Sequence, residues 1–164
     1  MSEDGVRELR FTGGQWERMR ELAESAYPFE GCGVLVGTAR EGVWEVSEVF
    51  PGRNLVEDRR HDRYELDPRD IIAAERAGRL RGEEVLGFFH THPDHPARPS
   101  QFDRDHAWPG YVYVVCAVEQ GTMRRATAWI LPGQEEGAEF EELPTGEGSR
   151  PGPGYNPPGV VVES

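Results

Sequence analysis

Positive charge is in short supply in this 164-residue chain: 18 basic residues against 30 acidic ones leave a formal net charge of -12. A groove that tracks phosphates, or a face that lies on anionic lipid, needs the opposite balance, so neither nucleic acid nor membrane is an expected partner. The acidity is read as a solubilising surface, with a basic partner protein as the alternative. Long apolar runs are missing as well. None approaches the ~20 residues that a membrane-crossing helix requires, and the opening MSEDGVREL has neither the basic cluster nor the apolar stretch of a secretion signal. A cytoplasmic protein is expected. Cysteine is scarce: Cys32 and Cys116 each sit in an apolar, strand-like run, where reduced and buried thiols are expected rather than a disulfide. There is no internal repeat, and the length suffices for one ordinary domain but not for two well-packed ones.

Periodic segments fill most of that domain. After a short apolar opening at 6–11, Trp16, Met19, Leu22, Ala23 and Ala26 recur at helical spacing over 14–27 until Pro28 stops the helix. The glycine-bounded apolar run 32–37 reads as a buried strand, which leaves Glu30 at a helix-to-strand junction. A second strand is expected over 43–50, ended by a turn at Pro51-Gly52, and a short one over 63–66. Asp67-Pro68 reads as a helix cap and first helical residue, with the helix running to about Gly78. A strand over 85–91, one or two helical turns over 100–106, and a hairpin of 111–118 with 124–131 through Gln120-Gly121 complete a mixed sheet. Beyond Leu131 an edge strand is expected at 140–143. The domain is therefore drawn as residues 1–143, and the Pro/Gly-rich stretch 144–164 as a flexible tail. Within that tail Val160, Val161 and Val162 could dock on a sheet edge, but a mobile end is the preferred reading.

Chemistry concentrates between Gly87 and Asp103. Residues two apart on a strand point to the same side, so His90 and His92 can aim both imidazoles at one point. Imidazole nitrogen suits Zn²⁺, which takes three protein ligands when catalytic, and a carboxylate completes such a set; Asp103 is the natural third. Ser100, with an acidic residue three positions later, resembles a helix cap that would fix Asp103 beside the strand end. The prolines of the intervening loop 93–99 leave it few conformations to lose. The competing reading is two surface histidines near a loop that also carries His95. Read without further context, Glu30 is an exposed carboxylate after a helix stop.

The motif His90-Thr91-His92-Pro93, followed by Pro99-Ser100 and Asp103, resembles the JAMM (MPN-plus) metallopeptidase signature. Glu30-Gly31-Cys32-Gly33-Val34-Leu35-Val36-Gly37 is similar to that family's upstream glutamate motif. Both halves stand in the right order, and the resemblance extends from about Val6 to Leu131. It implies an α/β (α+β) fold, a mixed, curved β-sheet flanked by helices with a cytidine-deaminase-like MPN/JAMM core. It also implies one zinc per chain on His90, His92 and Asp103, Glu30 as general base, and Ser100 assisting the tetrahedral intermediate. For Ser100 the cap and the oxyanion role stand side by side. His95 and His106 are expected not to be ligands, His61 to be solvated in a charged run, and Asp105 to be a plain helix-surface acid rather than a group supporting the metal ligands.

Small bacterial-type members of that family act on ubiquitin-like sulfur-carrier proteins. The resemblance therefore implies a zinc metallopeptidase that hydrolyses the amide bond after the C-terminal Gly-Gly of such a carrier, which would be its partner. Two alternatives remain: an isopeptidase that removes a ubiquitin-like tag from lysine, and a non-catalytic MPN scaffold of the kind that loses metal ligands.

Overall fold

Leu9 and Phe11 alternate with Glu8 and Arg10, the period of a half-buried strand, and form β1 (Glu8–Phe11) with both apolar side chains fully buried. The computed structural model describes residues 6–57, 63–133 and 139–143, and the backbone of 160–162. Helix α1 (Gln15–Ala26) buries Trp16, Met19 and Ala23, the stripe expected from their spacing. Strands β2 (Cys32–Arg40) and β3 (Val43–Gly52) follow as an antiparallel pair. Asp67 caps helix α2 (Pro68–Arg79), its carboxylate accepting from the Arg69 amide at 2.9 Å. Then come β4 (Glu84–Pro93), the short helix α3 (Gln101–His106), the hairpin β5 (Val112–Glu119) and β6 (Thr122–Ile130), and two edge pieces, β7 (Glu141–Glu142) and β8 (Val160–Val162).

All eight strands form one sheet in the order β7-β6-β5-β4-β2-β3-β1-β8. It is mixed, as expected: β4 runs parallel to β5, and β1 parallel to β3 and β8, while the remaining pairs are antiparallel. Helix α1 covers one face over Phe11, Leu35, Phe89, Val114 and Cys116. Helix α2 covers the other over Val34, Val36, Phe88 and Tyr113, with Ala74 at the contact. Each such valine, leucine or phenylalanine side chain, taken fully out of water, contributes roughly 1.5–3 kcal/mol, and β4 and β2 bury such side chains on both faces. Among the described residues no helix is long and apolar enough to cross a membrane.

Four expectations need correction. Pro51-Gly52 is the end of β3, paired with Gly33 and Cys32, and not a turn. Because β1 pairs only with Val43 through Val46 of β3, Pro51 sits where the strand has a neighbour on one side only, a place that tolerates a missing N–H. Residues 63–66 make a single bridge, Asn54 with Leu66, instead of a strand. The Asn54 side chain takes the place of a strand partner there, donating to Arg63 O at 3.0 Å and accepting from Glu65 N at 3.0 Å. The edge strand near 140 shrinks to Glu141–Glu142. Finally, 160–162 is not a free end: it pairs with the edge of β1 that β3 leaves open, a match for three β-branched residues. The rest of the tail lies outside the described residues.

Candidate metal centre

Strand β2 starts beside the place where its antiparallel neighbour β4 ends, with Cys32 opposite His90. This brings Glu30, two residues ahead of β2, to the histidines. On β4 the side chains alternate, so Phe88, His90 and His92 face the α2 side while Thr91 faces the α1 side. Thr91 clasps the chain next to Glu30: its N–H donates to Gly31 O at 3.0 Å, and its hydroxyl oxygen accepts from Gly31 N at 2.8 Å. One ligand atom each of Glu30, His90 and His92 lies within 4.8 Å of the others, and Glu30 and His90 are buried, at 5% and 1% exposed.

Asp103 arrives from α3. Ser100 Oγ accepts from Asp103 N at 3.0 Å, and Asp103 Oδ2 accepts from Ser100 N at 2.8 Å, a complete capping box. The same Oδ2 lies 3.1 Å from His90 Nε2 and 3.1 Å from His92 Nε2, and the two nitrogens are 3.2 Å apart. Ligand atoms at about 2.0–2.1 Å from a tetrahedral zinc stand roughly 3.3 Å from one another, so this triangle has the size of one face of such a site. Its chemistry agrees. His92 Nδ1 lies 2.9 Å from Pro96 O, which can only accept, so Nδ1 carries the hydrogen and the neutral ring turns a lone pair on Nε2 inward. Two imidazole nitrogens and a carboxylate oxygen gathered at one point make a donor set that a cation would hold together. The residues fit a zinc ion.

The protonation tendencies of His90 and Asp103 point the same way, and that of His92 runs against it. Burial pushes the His90 imidazole down, against the pull of Asp103, and favours the neutral, metal-binding ring. Burial also pulls His92 down, but its hydrogen bonds to Asp103 and Pro96 O and the charges of Asp103 and Glu30 outweigh it, so its pKa is raised. For Asp103, burial works against ionisation, yet His90, His92 and the Ser100 amide hold it well below the usual carboxylate range. Tyr64 stacks on His90 with ring centroids 4.4 Å apart and planes 17° off parallel, fixing the ring whose Nδ1 has no hydrogen-bond partner among the described residues.

The connection from β4 to α3 is pinned at several points. Asp94, in the left-handed region at φ 57, accepts from Tyr27 Oη at 2.7 Å and from Gln120 N at 2.9 Å. Thr127 Oγ1 donates to Ala97 O at 2.5 Å and accepts from Trp129 Nε1 at 2.7 Å. A cleft of about 350 Å³ opens over the triangle, lined by Glu30, His92, His95, Arg98 and Ser100 among others. On the α2 side an apolar pocket of about 410 Å³, walled by Tyr64, Leu66, Phe88, Phe102 and Trp108, reaches Asp103.

Of the residues singled out in the sequence, the structure brings Glu30, His90, His92 and Asp103 together and sets Ser100 at the cleft rim. His95 lines that cleft, whereas His106 bonds Phe102 O at 2.8 Å and stacks on Phe102. Asp105 is exposed and accepts from Gln101 Nε2 at 2.7 Å. His61 lies outside the described residues. The supporting residues Asn54, Tyr64, Asp94 and Thr127 were missed, for their partners are far along the chain. Thr91 was within reach, since strand alternation alone puts it opposite the histidines.

Comparison with known proteins gives a consistent set of likenesses. The family model for prokaryotic homologs of the JAB domain matches residues 14–130. A desampylase of Haloferax volcanii is 38% identical over 125 residues, covering 76% of this chain and 82% of that protein. The lysine-63-specific deubiquitinase BRCC36 of Camponotus floridanus is 29% identical over 137 residues, 74% of this chain and 53% of its own length. Among solved structures, a protein of Desulfitobacterium hafniense superposes with a TM-score of 0.70 at 27% identity, covering 94% of this chain and 92% of its own. One of Salinibacter ruber does so at 0.59 and 35%, covering 88% and 94%.

Proposed function

This chain belongs to the family of prokaryotic JAB-domain homologues and is a JAMM-type hydrolase; from that premise we propose that it cleaves the amide bond after the C-terminal Gly-Gly of a ubiquitin-like sulfur-carrier protein. The observation that carries the reading is the convergence of His90 Nε2, His92 Nε2 and Asp103 Oδ2 at 3.1–3.2 Å, with Glu30 in reach of both rings. The likeness to a desampylase and a deubiquitinase supports a ubiquitin-like substrate.

In this reading His90, His92 and Asp103 hold one zinc ion. When bound, zinc supplies a Lewis acid that makes water a usable nucleophile near neutral pH. Glu30 takes the proton of the attacking water and passes it to the departing amine, whose expulsion as an anion is otherwise prohibitive. The Ser100 hydroxyl uses a lone pair to cap α3, so its hydrogen is free to donate to the substrate carbonyl oxygen as that atom gains charge. Cap and oxyanion donor are thus compatible. Extended substrate binds in the cleft over Glu30 and Ser100, and burial of Glu30 keeps the proton it carries from bulk water.

The second reading, an isopeptidase acting on lysine-linked tags, is favoured by the name of the deubiquitinase relative. The test mixes zinc-loaded protein with a carrier extended beyond its diglycine and follows intact mass. Cleavage after the diglycine by the parent, and a loss of about a hundredfold or more in Glu30→Gln with zinc retained, is expected. An uncut carrier, or a Glu30→Gln variant as fast as the parent, would refute it.

A further inference from the structure

The cleft over Glu30, His92 and Ser100 has a second chemical feature: Arg98 is among the residues that line it. Arg20, Arg53, Arg69 and Arg81 all rest against carboxylates. Among the described residues Arg98 has no such partner; it is exposed, and it lines both the cleft and a neighbouring pocket that Glu142 also lines. Its root is fixed. Arg98 N donates to Pro96 O at 2.8 Å, the preceding carbonyl of Ala97 is held by Thr127 at 2.5 Å, and Pro99 follows. What sets Arg98 apart is its place: a cation without a carboxylate partner, on a pinned loop, lining the cleft beside Glu30, is suited to meet an anion there.

We infer that Arg98 binds the free α-carboxylate of the leaving group, so that the substrate is a carrier extended by a C-terminal amino acid rather than one linked through a lysine side chain. This rests on the function proposed above. Hydrolysis breaks the C–N bond after the diglycine: the oxygen of water joins the carbonyl carbon, and its protons end on the released amine and the new carboxylic acid group, which ionises. Glu30 delivers a proton to that amine, so the amine stands beside Glu30 in the cleft that Arg98 lines. In a terminal amino acid the carboxylate carbon is two bonds from this nitrogen. Glu30 and Asp103 both repel such a carboxylate, and a cation within the same cleft offsets that repulsion. The ε-amine of an isopeptide has no anion near it and gains nothing from Arg98. Planar, two-point hydrogen bonding to a carboxylate is what a guanidinium does best.

The test compares kcat/KM of the zinc-loaded protein on three substrates: a carrier with one residue beyond Gly-Gly as the free acid, the same as the C-terminal primary amide, and the carrier joined to a lysine ε-amine. The parent should prefer the acid over the amide by about tenfold to a hundredfold, the range of a charge-assisted hydrogen-bonded pair. Arg98→Gln should bring the ratio near one, and Arg98→Lys should restore part of it. Arg124→Gln, an exposed arginine on β6, controls for net charge and should keep the parent ratio. A parent without the preference, a preference that survives in Arg98→Gln, one that falls equally in Arg124→Gln, or faster cutting of the isopeptide would overturn the inference while leaving the hydrolase reading standing. A parent inert to all three would overturn that reading, and this inference with it.

Discussion

Exchanging Thr91 for valine keeps the shape of a fully buried side chain and deletes one oxygen. That oxygen accepts the Gly31 amide at 2.8 Å, across 60 residues of sequence, and ties the segment next to Glu30 onto the histidine strand. Valine leaves the amide without its acceptor in a partly buried place, which costs about 1–2 kcal/mol, the lower part of the range for an orphaned donor. For a chain of this size each kcal/mol moves the melting temperature by about 2–4 °C, so a fall of roughly 2–8 °C is expected. Zinc content should stay at the parent level because His90 and His92 lie on the opposite face of β4. Turnover should drop, since the segment that aims Glu30, the proposed base, is loosened, and Thr91→Ser, which keeps the oxygen, should lie close to the parent. Circular-dichroism melting, metal analysis and cleavage of an extended carrier give the three readings. If Thr91→Val melts with the parent and turns over as fast, the clasp neither stabilises the fold nor positions Glu30. If it loses metal in step with activity, Thr91 serves the ligands and not the base.

Asn54→Ala removes an amide that donates to Glu30 O at 3.2 Å and Arg63 O at 3.0 Å and accepts from Val56 N and Glu65 N. It should lower stability by about 1–3 kcal/mol and slow turnover with metal retained, readable by denaturant unfolding beside a rate assay. Gly87→Ala would put a Cβ 1.9 Å from Val112 O, in the β4–β5 ladder; loss of about 3 kcal/mol or more, seen as insoluble or easily unfolded protein, is expected, and a variant as stable as the parent would contradict that packing. Burial pushes both thiols up to about 12, with Asp70 and Glu30 adding to the effect at Cys32. At pH 8 the thiolate fraction is then on the order of 1 in 10,000, so iodoacetamide should label neither cysteine in the native protein and both in denaturant; fast native labelling would refute the burial.

The parts legible in the sequence were those set by local periodicity. The α1 stripe, the Asp67-Pro68 start, the Ser100 cap and the β5–β6 hairpin each rest on residues within a few positions of one another. His90 and His92 needed only strand alternation, and Asp103 only the capping box. Glu30 is different in kind: nothing near it marks a base, and it meets the histidines only because β2 and β4 are antiparallel neighbours, which the family resemblance supplied and periodicity could not. Failures fall where a side chain or a distant edge replaces a local rule. The Asn54 amide stands in for a strand at 63–66, the one-sided position of Pro51 lets β3 run on, and the open edge of β1 captures 160–162. His90, His92 and Asp103, the proposed ligands that the family resemblance says a scaffold would lack, are all present here, which is why the hydrolytic reading is preferred to that alternative.

Zinc per chain, determined by elemental analysis of parent and Asp103→Ala protein after loading and desalting, bears most directly on whether two imidazoles and one carboxylate share a dication. The expected result is about one zinc in the parent, stripped by chelator together with activity and restored with it, and far less in Asp103→Ala. A parent that leaves the column without metal, or an Asp103→Ala variant that holds zinc as tightly as the parent, would contradict the account.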